Sequence, residues 1–384
     1  MPAEIAPDAQ IAIVGAGLAG LRTAEALRRR GFAGSLVVIG DEIHPPYNRP
    51  PLSKEALAGG VEFDALKFRQ KNSDVTWRLG STAIGCTPEE VLLADGSAVP
   101  YDGLVIASGI RPRHLPVPGP QPLTLRTLED AVALRDQLSA GVRLLIVGAG
   151  FIGCEVAATA RSLGCEVTVT AFDAEPMIAA LGVELAAAMR AHHEAHGVRF
   201  VLGVGVAEFT PSGVILDDGT ALDADVVLEA VGSVPNTEWL SDLGLDLRNG
   251  VLCDNDLRAL GAPRPTVAVG DIARFPNPRF DDEPRRIEHW SMPGDTARRA
   301  AETLLADLAD SPAPAEPFAP IPSFWSDQYD WKLESQGMPA LGDAVLVEGS
   351  WEGECIVEYR HDERLVGVIG VNRTREVLGY RDQL

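Results

Sequence analysis

The sequence predicts an α/β protein built from two parallel-sheet nucleotide-binding folds and a small α+β C-terminal domain. Three observations predict it. A glycine-spaced motif, G-x-G-x-x-G, occurs at Gly15-Ala16-Gly17-Leu18-Ala19-Gly20 and again at Gly148-Ala149-Gly150-Phe151-Ile152-Gly153. Each copy follows a short apolar run and opens a helical stretch. Past a Pro/Ala-rich segment at residues 311–317, short apolar stretches are separated by turn residues.

Ile11-Ala12-Ile13-Val14 suits a strand buried on both faces. After the glycine motif a helix is expected over residues 21–30, ended by Gly31 and Gly34. Leu36-Val37-Val38-Ile39 is the next strand, completing a βαβ unit with a parallel pair. The order recurs from Leu144-Leu145-Ile146-Val147 through the second motif, a helix to Leu163, Gly164 and the strand Val167-Thr168-Val169-Thr170. Between the units, an apolar strand runs into a turn at Gly109, and its counterpart ends at Gly232. The chain thus carries two Rossmann-like dinucleotide folds. Residues 311–317 read as a semi-rigid linker. Ala344-Val345-Leu346-Val347, Cys355-Ile356-Val357-Glu358-Tyr359 and Leu365-Val366-Gly367-Val368-Ile369 then read as antiparallel strands. The expected division is 1–112 with 233–310, 113–232, and 318–384.

Composition narrows the function. A chain of 384 residues fits two or three domains. Asp and Glu number 55 against 33 Lys and Arg, a formal charge of −22, which excludes a generally basic nucleic-acid surface. Five cysteines without C-x-x-C spacing argue against a disulfide framework, a zinc ribbon or an iron–sulfur cluster, and read as buried thiols. No stretch reaches the ~18 apolar residues of a membrane helix. Met1-Pro2-Ala3-Glu4-Ile5 lacks a signal-peptide pattern. A cytoplasmic protein without a membrane partner is expected. His192-His193-Glu194-Ala195-His196 is one residue short of H-E-x-x-H. His192 and His196 can share a helix face, but no third ligand is evident, so no metal centre is expected and the segment reads as a solvated helix end.

In each glycine motif the first glycine (Gly15, Gly148) makes the tight turn. The second (Gly17, Gly150) admits the backbone to a pyrophosphate. The third (Gly20, Gly153) lets helix and strand pack closely. The helix N-terminus offers unpaired N–H groups and partial positive charge to the phosphates. An acidic residue about 20 positions on should bind a ribose. Asp41 and Glu42 serve the first unit. In the second, Asp173 is the candidate, since Ala171 ends the strand. No nearby arginine awaits a 2′-phosphate, which favours NADH over NADPH. Two nucleotides in one chain suggest non-covalent FAD in the first unit and NADH in the second, with hydride passing from nicotinamide C4 to flavin N5.

Pro45-Pro46-Tyr47-Asn48-Arg49-Pro50-Pro51-Leu52-Ser53-Lys54 resembles a segment of the FAD-dependent NADH:ferredoxin reductases that serve ring-hydroxylating dioxygenases and cytochrome monooxygenases. Apoptosis-inducing factor shares their glutathione-reductase-like fold. Four further stretches agree: residues 107–113, 269–273, 286–290 and Phe324-Trp325-Ser326-Asp327-Gln328-Tyr329-Asp330, the most specific. The resemblance implies FAD contacts at Asp41, Arg49, Lys54, Ala83, Arg126 and Asp271. It places Trp290 where the backbone meets the flavin pyrimidine edge, at the start of a helix over residues 293–309. It implies that Glu155 lies near the nicotinamide carboxamide and pairs with Lys54, so that Lys54, Glu155 and Trp290 form the catalytic group. Two departures stand out: the family's glutamate at the strand end is Ala171 here, and its Gln-Gly is Thr296-Ala297.

The segment after the first fold holds no thiol where disulfide reductases and NADH peroxidases or oxidases carry one. Electrons must then leave by an external carrier, and the resemblance implies a [2Fe–2S] ferredoxin. Because ferredoxins are acidic, a local basic patch is expected, with Arg285-Arg286, Arg298-Arg299 and Arg373/Arg375 as candidates. Two alternatives stay open: a flavoprotein sensor of the apoptosis-inducing-factor kind, and an NADH oxidase or peroxidase.

Overall fold

A computed structural model describes residues 5–69, 74–312 and 314–384. The residues before Ile5 and Ala313 of the Pro/Ala segment lie outside the described residues. The chain divides into two compact units, residues 1–48, 67–111 and 234–322 in one and residues 49–66, 112–233 and 323–384 in the other.

The first unit is organised by a five-stranded parallel sheet in the order Thr266–Ala268, Gly103–Ile106, Gln10–Val14, Ser35–Ile39, Thr76–Arg78. Its central strand is apolar on both faces, and Ile11, Ala12 and Ile13 are fully buried. Such burial suits β-branched side chains when helices cover both faces of a sheet. The helix Leu18–Arg29 follows the first glycine motif. The helix Met292–Leu308 packs close enough to Gly103 that a Cβ there would lie 3.2 Å from Leu304. A three-stranded antiparallel meander, Ala83–Cys86, Glu90–Leu93 and Ala98–Pro100, belongs to the same unit.

The second unit repeats the scheme. Its parallel sheet runs Arg199–Leu202, Glu166–Ala171, Arg143–Val147, Val226–Glu229. The helix Phe151–Ser162 follows the second motif, and Ile178–Ala195 comes after the next strand. A second meander, Val206–Thr210, Gly213–Leu216 and Ala221–Asp223, mirrors the first and buries Val206, Phe209, Val214 and Leu216 against Leu145 and Val147.

The same unit carries the C-terminal five-stranded antiparallel sheet, ordered Ser323–Gln328, Trp331–Gly337, Arg364–Val371, Cys355–His361, Asp343–Gly349. The helix Thr374–Gly379 lies on it, Val377 being fully buried. The three strands expected from apolar runs are present. Two more, Ser323–Gln328 and Trp331–Gly337, were not expected, because their inward positions include Ser326, Gln328, Ser335 and Gln336, all buried.

All five cysteines are free and buried. Burial pushes the Cys154 thiol up to about 12 and raises Cys86, Cys165, Cys253 and Cys355 as well, so none is a ready nucleophile. Among the described residues, no helix is long and apolar enough to cross a membrane.

Candidate functional site

The two glycine motifs adopt the same geometry. In the first, Gly15 has φ +124°, and a Cβ there would lie 2.0 Å from the Ala107 carbonyl oxygen. A Cβ on Gly20 would lie 1.9 Å from the Gly15 oxygen, whereas one on Gly17 would meet nothing within 4 Å. In the second, Gly148 has φ +109° and its Cβ would lie 2.3 Å from the Ala230 oxygen. A Cβ on Gly153 would likewise lie 2.2 Å from the Gly148 oxygen, and Gly150 again faces open space. The outer glycines are demanded by backbone approach. The middle ones front an open cradle.

Gly17 and Gly150 are the N-caps of the two helices, and neither helix has a side-chain cap or an acidic residue in its first turn. Uncapped N–H groups and the positive helix end therefore face the cradle. A dinucleotide pyrophosphate fits both, since it supplies the acceptors and the charge that the chain withholds.

Around the first cradle, the strand Ser35–Ile39 runs through Gly40, whose Cβ would lie 2.4 Å from that of Ala16, directly to Asp41. Asp41 is exposed, its Oδ1 accepting the Glu42 N–H at 3.0 Å. Glu42 is half-buried and its Oε2 accepts the Tyr47 hydroxyl at 2.7 Å, so of the two Asp41 is more available to a ligand. Ala83 opens the first meander strand. Asp271 sits in the short 3-10 helix Gly270–Ile272, where its carbonyl accepts from Arg286 at 2.9 Å. Thr296, which departs from the family's glutamine, has a defined task. Its buried Oγ1 accepts the Gly270 N–H at 3.0 Å and donates to the Met292 carbonyl at 2.6 Å, which fixes the residue before Asp271. Trp290 is 42% exposed, not a core aromatic, and its indole N–H donates to Asn48 Oδ1 at 3.0 Å. The helix it precedes begins at Met292, without a side-chain cap.

Around the second cradle, Glu155 lies one turn into the helix and is 6% exposed. Lys54 Nζ is 2.6 Å from its Oε2. Ser53 donates to the same oxygen at 2.5 Å, and Ser326 donates to Oε1 at 2.7 Å. Gln328 Nε2 donates to Ser326 Oγ at 2.9 Å, and its Oε1 accepts the His193 Nε2–H at 2.6 Å. The carboxylate is thus satisfied on both oxygens, which a buried charge requires. Removing one partner of such a pair costs about 3–5 kcal/mol. Arg49 Nη1 donates to the Arg126 carbonyl at 2.7 Å, bringing together two residues assigned separately to FAD. Asp173 is exposed, and Phe172 beside it is 81% exposed, while Ala171 is buried at the strand end. Gly232 turns at φ +95° and its carbonyl accepts the Arg113 N–H at 3.0 Å.

Sequence reasoning missed Ser53, Ser326, Gln328 and Asn48 as partners in these networks. Their signal was membership in the family-like stretches 45–54 and 324–330. One expectation needs correction. His193 is fully buried, not on a solvated helix end, because the hairpin after Gln328 covers that turn. Most of the candidate docking arginines are engaged. Arg299 is 8% exposed and bonded to Asp256, Arg286 pairs with Glu288 at 2.7 Å, Arg285 pairs with Asp281, and Arg373 faces Glu348, Glu354 and Glu376.

Two dinucleotide cradles in series, with a buried Lys–Glu pair and no cysteine couple, define a two-nucleotide oxidoreductase. The pyridine nucleotide-disulphide oxidoreductase model matches residues 9–297, and the reductase C-terminal model matches residues 323–384. The chain is 35% identical over 387 residues to rhodocoxin reductase of Rhodococcus erythropolis, covering 97% of this chain and 88% of that protein. It superposes with a TM-score of 0.89 on the ferredoxin reductase for the CYP199A2 system of Rhodopseudomonas palustris, at 34% identity, over 97% of this chain and 93% of that one. The reductase of a covalent putidaredoxin reductase–putidaredoxin complex gives a TM-score of 0.88 at 34% identity, over 98% and 92%. The chain belongs to the pyridine nucleotide-disulphide oxidoreductase family.

Proposed function

We propose that this chain is an FAD-dependent NADH:ferredoxin reductase that delivers electrons to a [2Fe–2S] ferredoxin serving an oxygenase. The observation that carries the reading is the pair of matched cradles in a chain whose cysteines are all buried and unpaired. Ferredoxin–NAD(+) reductases of dioxygenase systems among its relatives, and a reductase neighbour seen joined covalently to putidaredoxin, support it.

Flavin, when bound, accepts two electrons from a nicotinamide and releases them singly. Residues 1–112 and 233–310 hold FAD through the first cradle, Asp41, Ala83 and Asp271, with Arg49, Lys54 and Arg126 as further contacts. Residues 113–232 hold NADH through Gly148, Gly150, Gly153, Glu155, Asp173 and Gly232, and residues 318–384 form the C-terminal domain. Glu155 holds Lys54 by an ion pair, and Ser53 and Ser326 hold Glu155. A fixed ammonium stabilises negative charge that develops beside it. Trp290 and the N-terminus of Met292–Leu308 serve the flavin pyrimidine edge, where the helix dipole favours an anion. NADH is preferred to NADPH, and free, buried thiols support a cytoplasmic location. Arg298, its side chain 61% exposed although paired with Asp295, and the exposed Arg375 are the remaining docking residues.

Purified protein should be yellow, bleach anaerobically with NADH and recover its colour on mixing with a [2Fe–2S] ferredoxin, scored by cytochrome c reduction. A long-lived bleached complex that ferredoxin does not reoxidise would instead indicate a sensor. Arg298→Glu should raise KM for ferredoxin at least threefold and leave the bleaching rate unchanged.

A further inference from the structure

The last turn of the helix Ile178–Ala195 and the tight turn between Ser323–Gln328 and Trp331–Gly337 meet residue by residue. His192 stacks on Trp331 with ring centroids 4.3 Å apart and planes at 14°. His196 stacks on Tyr329 at 3.8 Å and 10°. Asp330, between those two aromatics, sets its Oδ1 3.0 Å from His192 Nε2. That nitrogen is shielded from solvent and makes no hydrogen bond of good geometry despite the short distance.

We propose that His192, His196 and Asp330 form a binding site for a divalent transition-metal ion of the zinc type, with water completing its shell. One ligating atom from each residue falls within 4.8 Å of the others. Bonds of about 2.0–2.2 Å to nitrogen and oxygen require donor atoms roughly 3–4 Å apart, which small rotations of the exposed His196 and Asp330 provide. The tautomer is already set. His196 Nδ1 lies 2.8 Å from the His192 carbonyl oxygen, which can only accept. The proton therefore sits on Nδ1, and Nε2 keeps its lone pair, as in metal-bound imidazoles oriented by a second hydrogen bond.

The donor set decides the ion class. Two imidazole nitrogens and one carboxylate oxygen suit zinc and its neighbours, whereas calcium and magnesium call for oxygen ligands throughout. Three protein ligands leave at least one position for water. Access is open, since the Asp330 side chain is 77% exposed although that of His192 is only 12% exposed. The ion would tie the helix to the hairpin that carries Ser326 and Gln328, reinforcing the contacts that reach Glu155.

The test uses the full-length FAD-loaded protein, stripped with a chelator and dialysed against micromolar ZnCl2. Wild type should retain one more zinc per chain than the His192→Gln/His196→Gln double variant, and its melting midpoint should rise by several degrees with zinc. Asp330→Asn and His196→Gln should each weaken zinc binding at least tenfold. Both alter exposed side chains, so they carry the test if the double variant fails to fold. Zinc retention by His196→Gln equal to that of wild type, meaning ion bound elsewhere only, would overturn the site. So would a wild-type melting midpoint that zinc does not move.

Discussion

The two nucleotide folds differ less in their cradles than in the segments that leave the second strand of each. Both present an outer glycine pressed on a neighbouring carbonyl, a middle glycine on open space and an uncapped helix. In the first fold that strand leads through Gly40 to Asp41 and Glu42, close against the motif. In the second it ends at buried Ala171 and passes to exposed Phe172 and Asp173. The cradle proposed for the phosphates is thus common to both, and the segment proposed for the ribose is where they diverge. A resident cofactor needs a complete site, while a substrate that must leave each cycle is served by a sparser one.

The sharpest way to break this comparison is to spoil one cradle at a time. Gly15→Ala puts a Cβ 2.0 Å from the Ala107 oxygen at a φ that L-residues rarely adopt. The protein should lose its flavin, seen as loss of the yellow colour. Gly148→Ala meets the same obstruction at 2.3 Å from the Ala230 oxygen. That variant should stay yellow and fail to bleach with NADH. If Gly148→Ala is the colourless one, the assignment of the two nucleotides is reversed.

Next in size is the pair that sets the second unit apart. Glu155→Gln leaves Lys54 without its carboxylate 2.6 Å away in a site where both side chains are largely buried. Bleaching by NADH in a stopped-flow experiment should slow at least tenfold while the flavin content holds. A variant that bleaches at the wild-type rate would reduce Glu155 to a packing role.

The cradles were legible because glycine recurs where the backbone approaches itself, and the central strands because parallel strands read as continuous apolar runs. The network around Glu155 was less legible. Ser53 and Ser326 lie 102 and 171 residues from it in sequence, so no local spacing announces them. Ser323–Gln328 hid as a strand for the same reason, since it turns Ser326 and Gln328 inward to serve a buried carboxylate. The partners of the candidate docking arginines were not legible, because ion pairing is a tertiary fact. Arg299 is buried against Asp256, a residue far from it in the chain.

Each unit also holds one histidine desolvated enough to stay neutral, and this offers a smaller test by acid. Burial holds His289 in the first unit and His193 in the second down to about 4. Unfolded histidine takes up its proton near 6.5, so between pH 6.5 and 4 the unfolded chain binds more protons. Stability is therefore fully present above pH 6.5 and falls as pH drops toward 4, on the order of 3 kcal/mol for each histidine. Denaturant midpoints measured from pH 7 to pH 4.5 should decline. His193→Gln should flatten part of that decline, and an unchanged slope would remove His193 from the account.

The finest test addresses the ribose end of the second cradle. Asp173 is exposed just past the strand, and nothing in the chain forces a glutamate's role on Ala171. If Asp173 supplies the acidic contact, Asp173→Ala should raise KM for NADH roughly three- to tenfold and change kcat little, because such a contact binds ground and transition states alike. Ala171→Glu should act in the opposite direction, lowering KM by restoring a carboxylate at the strand end. The two variants also separate the cofactors, since a carboxylate beside the ribose repels a 2′-phosphate. Ala171→Glu should therefore widen the preference for NADH over NADPH and Asp173→Ala should narrow it. Equal KM values for NADH in all three proteins would place the ribose contact elsewhere and leave the second site defined by its glycines alone.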